Sequence, residues 1–201
     1  MQEEFDIKVC INNLRPVFHS EADLQFALAW EIKKTYSTAK VRLEYPKEVD
    51  GKMIYVDIVV LYNNKEYYIE LKYKTKLCNT KIGAEEYNLK NQSAQNLGRY
   101  DFLKDVQRVE KLGKGYAIML TNDMSYVEKD GKDTRYNMFS LKEDRKITKN
   151  KKYDWGDGFV ETSVGKRRLD GITFKNDYTI HWENMPNNIA NLKYCLIKVN
   201  D

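Results

Sequence analysis

Three residues stand out for the chemistry that their types and spacing allow. Asp57 is set in Val56-Asp57-Ile58-Val59-Val60, and Glu70 and Lys72 in Tyr67-Tyr68-Ile69-Glu70-Leu71-Lys72. A carboxylate among apolar strand residues loses solvation unless a cation or hydrogen-bond donors compensate it. Both stretches are rich in β-branched and aromatic residues and read as strands, over 52 to 62 and 66 to 73, joined by the turn signal Asn63-Asn64-Lys65. Alternation along the second strand puts Tyr68, Glu70 and Lys72 on one face and Tyr67, Ile69 and Leu71 on the other. Pairing about a turn centred between residues 63 and 64 sets Asp57 near-opposite Glu70. Two carboxylates that close repel, so one takes up a proton or both share a cation. With oxygen ligands and no thiol or imidazole nearby, the cation expected is Mg²⁺ or Mn²⁺. Such a site suits phosphodiester hydrolysis, in which the metal polarises the phosphate and acidifies a water, and Lys72 orients that water or neutralises developing charge.

The elements that must position these residues can be read from periodicity. Residues 19 to 36 form the first clear helix: Ser20 caps it, Asp23 follows at capping-box spacing, and Leu24, Ala27, Leu28 and Ile32 recur at helical intervals, with Phe26 and Trp30 widening the apolar face. A strand over 40 to 46, ended by Pro46, precedes the two strands above, so three sequential strands form an antiparallel meander. Residues 77 to 93 carry no clear pattern. A second long helix spans 93 to 113, with Leu97, Tyr100, Leu103, Val106 and Val109 at helical spacing and Gly113 as C-cap, and a short apolar strand follows over 115 to 123. The order helix, three strands, helix, strand implies an α/β architecture. Beyond it lie loops and short strand candidates around Phe159, 171 to 174, 178 to 182 and 194 to 199.

Asp57, twelve intervening residues and then Glu70-Leu71-Lys72, on the second and third strands after a helix, resembles the PD-(D/E)xK nuclease superfamily with its restriction-endonuclease-like fold. The proline that names the motif is replaced by Val56. The resemblance covers residues 19 to 121 and implies that Asp57 and Glu70 are metal ligands and Lys72 the catalytic lysine. Many members add a glutamate from the first helix; Glu21 or Glu31 fits, and Glu21 is favoured because it precedes Leu24 and Leu28 by three and seven residues. Glu21 also suits the positive end of the helix without any catalytic role. The implied activity is Mg²⁺-dependent cleavage of nucleic acid, DNA rather than RNA, and many relatives act as homodimers. Two other readings stay open: a nuclease-like fold that binds nucleic acid or protein without cutting, and an interaction domain whose charged residues form a structural ion-pair network.

The whole chain fits these expectations. Its 201 residues suit one domain over 1 to 201, with a core at about 19 to 121 and a β-rich elaboration over 122 to 201. Lys and Arg number 34 against 30 Asp and Glu, a mixed surface that by itself selects no partner, although Lys142 to Arg168 holds nine basic and five acidic residues. Cys10, Cys78 and Cys195 are widely spaced and odd in number, which points away from a disulfide framework or thiolate zinc site and toward a cytoplasmic setting. An acidic start and the lack of a long apolar run exclude a signal peptide and a membrane span as expectations. With only His19 and His181, neither in a triad context, nucleophilic serine or cysteine catalysis is not expected, and no phosphate-cradling glycine motif is present. Gln92, Gln95 and Arg99, near the start of the second helix, read as a solvated face.

Overall fold

The computed structural model describes residues 4–130, 137–155 and 168–200. A short helix, α1 (Ile7–Asn12), precedes α2 (Glu21–Thr35), and three long strands follow: β1 (Lys40–Val49), β2 (Lys52–Tyr62) and β3 (Lys65–Lys74). A small hairpin, β4 (Cys78–Ile82) with β5 (Glu85–Leu89), leads to the long helix α3 (Gln95–Leu112) and strand β6 (Gly115–Thr121). After the one-turn α4 (Ser125–Glu128) come four two-residue strands, β7 (Lys146–Ile147), β8 (Lys152–Tyr153), β9 (Ile172–Thr173) and β10 (Tyr178–Thr179). The chain ends with β11 (Trp182–Asn184) and β12 (Lys193–Val199).

The main sheet is mixed, in the order β1-β2-β3-β6-β12-β11. Its first three strands form the expected antiparallel meander, turned by the two-residue loops Asp50-Gly51 and Asn63-Asn64, all four residues at positive φ. Asn, Asp and Gly tolerate that region best, and turns of this hand match the twist of the strands they join. From β3 the chain crosses through α3 into β6, which pairs parallel to β3, and β12 then adds antiparallel to β6. A glycine is required where β6 begins: a Cβ on Gly115 would sit 1.9 Å from the Tyr68 carbonyl oxygen.

Each face of the sheet has its own apolar core. Leu24, Leu28 and Ile32 of α2 pack with α1 on Ile58, Ile69, Leu71 and Ile118, whereas Phe102, Leu103, Val106 and Val109 of α3 pack on Val59, Tyr68, Ala117 and Met119. The outer side of α3 is covered in turn by the C-terminal segments. Gln107 Nε2 donates to the Thr173 carbonyl at 2.9 Å, Arg168 meets both Asp101 oxygens at 2.6 and 2.8 Å, and buried Glu110 accepts from Lys175 N, Asn176 N and the Tyr178 hydroxyl.

The helix start agrees with the sequence: the Ser20 hydroxyl accepts from Asp23 N at 3.1 Å. Two expectations are corrected. Phe26 and Trp30 do not widen the apolar face; they are 60% and 76% exposed, because they project some 200° or more around the helix from Leu24. Pro46 does not end β1, which continues to Val49, since an edge strand tolerates a residue with no N–H to donate. Residues 77 to 93, featureless by pattern, hold the β4/β5 hairpin. The strand candidate around Phe159 lies outside the described residues. The three cysteines are free thiols, and among the described residues no helix is long and apolar enough to cross a membrane.

Candidate functional site

The site forms where β2 parts from β3. The expected register holds from Tyr62–Lys65 to Ile58–Ile69 and stops there, one pair short of Asp57 and Glu70, while β3 stays paired with β6 as far as Lys74–Thr121. Side-chain alternation in β2 slips at the same place: Ile54 and Val56 lie in the α3-side core with Val59, which strict alternation from Val59 forbids. Across the ladder Glu44 takes a left-handed conformation, φ 49°.

The parting leaves β3 backbone donors on that edge without a strand partner, and buried N–H groups must find acceptors. Two of the expected carboxylates supply them. Asp57 Oδ2 accepts from Leu71 N at 2.6 Å and Glu21 Oε2 from Tyr73 N at 2.7 Å. Gln25, one helical turn after Glu21, fixes the break by donating through Nε2 to the Asp57 carbonyl at 2.7 Å and to Glu44 Oε1 at 2.8 Å. Of the two helix glutamates, Glu21 therefore reaches β3. Glu31, buried further along α2, has Lys34 Nζ and Thr35 Oγ1 at 3.4 Å.

Glu70 and Lys72 share a face, as alternation requires, but that face is covered by α3 and is not solvated. Glu70 is 2% exposed and Asp105 of α3 is 3% exposed. Lys72 Nζ lies 2.8 Å from Asp105 Oδ2, and one Arg108 nitrogen bridges Glu70 Oε1 and Asp105 Oδ1, each at 3.1 Å. Asp105 and Arg108 were not identified from the sequence. Their only signal was an acid and a base three residues apart on one face of the second helix, a spacing common on solvated surfaces.

Four carboxylates, Glu21, Asp57, Glu70 and Asp105, thus lie about two cations, Lys72 and Arg108, and burial shifts three of the four. Burial pushes Asp57 up to about 6 against the opposing pull of the Leu71 N–H and Lys72. Burial, with Asp105 beside it, holds Glu70 far above the ordinary glutamate range in spite of Arg108, and burial raises Asp105 as well. Lys72 moves the other way from a normal buried lysine: burial lowers it, but Asp105, Glu21 and Asp57 together raise it and keep it charged.

This donor set fits a hard divalent cation, which takes oxygen ligands and would cancel the surplus charge. Asp57 Oδ1 and Glu70 Oε2 accept no hydrogen bond among the described residues. Glu21, Asp57 and Glu70 do not, however, bring three ligand atoms within 4.8 Å of one another. Two carboxylates without a closed protein cage match Mg²⁺ or Mn²⁺, which keep several waters and take the rest of their shell from a bound phosphate.

Other polar residues lie elsewhere. His19 stacks on Tyr87 at 4.4 Å and meets Glu85 at 2.9 Å, on the β4/β5 hairpin. His181 groups with Glu143 and Asp144 on the surface, where its Nδ1 is 2.5 Å from Glu143 Oε1 and the other Glu143 oxygen accepts from Trp182 N. Gln92 N donates to the Thr75 carbonyl at 2.8 Å. Gln95 and Arg99 do not sit on a solvated face: Gln95 Nε2 bonds Asp123 Oδ2 at 3.0 Å, and Arg99 is 3% exposed. No family model, curated protein or solved structure matches the chain.

Proposed function

We propose that the protein is a divalent-cation-dependent nuclease that hydrolyses DNA phosphodiester bonds, with a restriction-endonuclease-like core over 19 to 121. The observation that carries this reading is the clustering of Glu21, Asp57, Glu70 and Asp105 at the parting of β2 from β3, with a lysine held beside them at 2.8 Å from Asp105. The order α2, β1 to β3, α3, β6 around these residues supports it. Asp57 and Glu70 would hold Mg²⁺ or Mn²⁺, with Glu21 at the rim. Bound there, the ion supplies a polarised phosphate and an acidified water. Lys72, kept cationic by three carboxylates, serves as a fixed positive charge for the anionic phosphate in its transition state and not as a proton acceptor. Asp105 orients the Lys72 ammonium, and Arg108 screens Glu70 from Asp105. Apolar packing from α3 and the sheet buries Glu70 and Asp105, which strengthens their interactions.

A second reading has its own observation. Asp57 and Glu21 satisfy β3 donors and Glu70 already has Arg108, so the cluster also works as a structural network. One experiment separates the two. Plasmid and oligonucleotide cleavage with Mg²⁺ or Mn²⁺ is expected for the wild type and lost in Asp57→Asn and Glu70→Gln, with Mn²⁺ heats in calorimetry lost in the same variants. A wild type that neither cuts nor binds Mn²⁺, even beside a non-cleavable phosphorothioate strand, leaves the structural network as the answer.

A further inference from the structure

Arg99 is the one lysine or arginine among the described residues that is fully buried, and it has no carboxylate partner there. The other buried charges are answered: Glu70 by Arg108, Asp105 by Lys72, Asp123 by Lys76 at 3.1 Å, and Glu110 by a ring of donors. Arg99 has only neutral acceptors. Its terminal nitrogens donate to Asn96 Oδ1 at 2.9 Å and to the carbonyls of Ser125 and Lys129 at 2.5 and 2.9 Å, Tyr126 lies under its guanidinium, and its Nε has no partner. A buried charge without a paired counter-ion is costly, and here neutral acceptors, the Tyr126 ring and the more distant Asp123 and Asp130 offset only part of that cost.

Arg99 lines a cleft of about 230 Å³ at the start of α3, together with Lys76, Gln95, Asn96, Ser125 and Lys129. Two of these residues are fixed by buried Asp123 beneath them, which accepts from Ser125 N at 2.9 Å and Gln95 Nε2 at 3.0 Å. The helix that opens onto this cleft has 18 residues, no acid in its first turn and no side-chain cap, because its N-cap is Ala94 in a left-handed conformation. Its first N–H groups and the positive end of its dipole are therefore available to an anion. One carboxylate, Asp130, shares the rim, but it is already bonded by the Ser140 hydroxyl at 2.7 Å.

We infer that this cleft binds a phosphate group, with Arg99 as its buried counter-charge and Lys76 and Lys129 as its rim. The Arg99 guanidinium, the Lys129 ammonium, Lys76 shared with Asp123 at 3.1 Å and the first N–H groups of the helix line or border it, more donors than the two oxygens of a carboxylate can take and a match for a tetrahedral oxyanion. Asp105 follows Arg99 by six residues on α3, about 9 Å along the axis and about 120° around it. If the nuclease reading holds, on which this step rests, the cleft grips a backbone phosphate other than the one at the carboxylates.

The test uses inorganic phosphate and an oligonucleotide in chelator-treated, metal-free buffer. Calorimetry should show phosphate binding to the wild type, weakened roughly tenfold in Arg99→Lys and several-fold in the exposed-rim variant Lys129→Ala. Asp57→Asn should bind phosphate like the wild type, so loss of cleavage and loss of this site are read separately. Anisotropy with the oligonucleotide should give a salt dependence whose logarithmic slope drops by about 0.7 in Lys129→Ala. Phosphate that binds but is not displaced by the oligonucleotide keeps the site and assigns it to a free phosphate. No phosphate heat, with an unchanged salt slope in Lys129→Ala, overturns the inference.

Discussion

Asp57 carries two duties that pull against each other. As a strand cap it accepts the Leu71 N–H, and as a half-buried acid it resists ionisation, rising from 3.8 to about 6. The folded protein therefore holds this proton more tightly than the unfolded chain does. The stabilisation this provides is complete below about pH 4 and is lost as pH rises to about 6, amounting to at most about 3 kcal/mol at 1.4 kcal/mol per pKa unit. Asp57→Asn, which keeps an acceptor for Leu71 N, should remove that slope, leaving the variant about 2 kcal/mol more stable than the metal-free wild type at pH 7 and no more stable at pH 4. Urea unfolding across this range reads both numbers. Mn²⁺ should raise the wild-type midpoint at pH 8 and leave it nearly unmoved at pH 4.5, since a protonated ligand cannot bind it. At this scale the sequence was partly legible. A lone acid between valines and isoleucines announces a group that needs compensation, but Asp105 and Arg108, which do much of the compensating, look like any charged pair on a helix until the sheet they face is known.

Helix α3 acts as the counter-ion of strand β3. Arg108 spans Glu70 and Asp105, so Arg108→Ala should strand two buried carboxylates with Lys72 alone. Because the Arg108 side chain is 30% exposed, the expected cost is about 2 kcal/mol at pH 8, below that of a fully buried pair. It should grow as pH rises above 8, where Glu70 with its raised pKa ionises, and shrink as pH falls, and adding Glu70→Gln should recover part of it; thermal unfolding of the single and double variants measures both. The elements themselves were readable where pattern and punctuation agree. Asn63-Asn64 fixed the β2/β3 register, and leucine and valine spacing with Gly113 gave α3 to within two residues at its start and one at its end. The β4/β5 hairpin was not readable, because Cys78–Ile82 and Glu85–Leu89 are short and mostly polar, and only Tyr87 and Leu89 are buried there. Phe26 and Trp30 misled for the converse reason: large apolar residues counted toward a face they do not share with Leu24.

At the scale of the whole molecule, the C-terminal third is more than an appendage. β12 completes the sheet beside β6, and the segments around Arg168 and Thr173 to Tyr178 close over α3, so the helix that carries Asp105, Arg108 and Arg99 is gripped on both sides. The strand candidates at 171 to 174, 178 to 182 and 194 to 199 fall on β9, β10 and β12, but their pairing and their cover of α3 were not visible, because strands of two or three residues leave no period to detect. The sheet that results has two ends, and they differ from its middle. One is β11, only three residues long; the other is β1, with outward lysine, arginine and glutamate side chains, Glu44 in a left-handed kink and Pro46 with no hydrogen to give. Each is a poor template for another strand. Pro46→Thr combined with Lys47→Thr should restore a donor and remove a charge at that border, and light scattering is expected to show self-association that the wild type lacks. The proline that fails to end β1 thus guards it, keeping a long, tyrosine-rich sheet from growing by addition of its own kind.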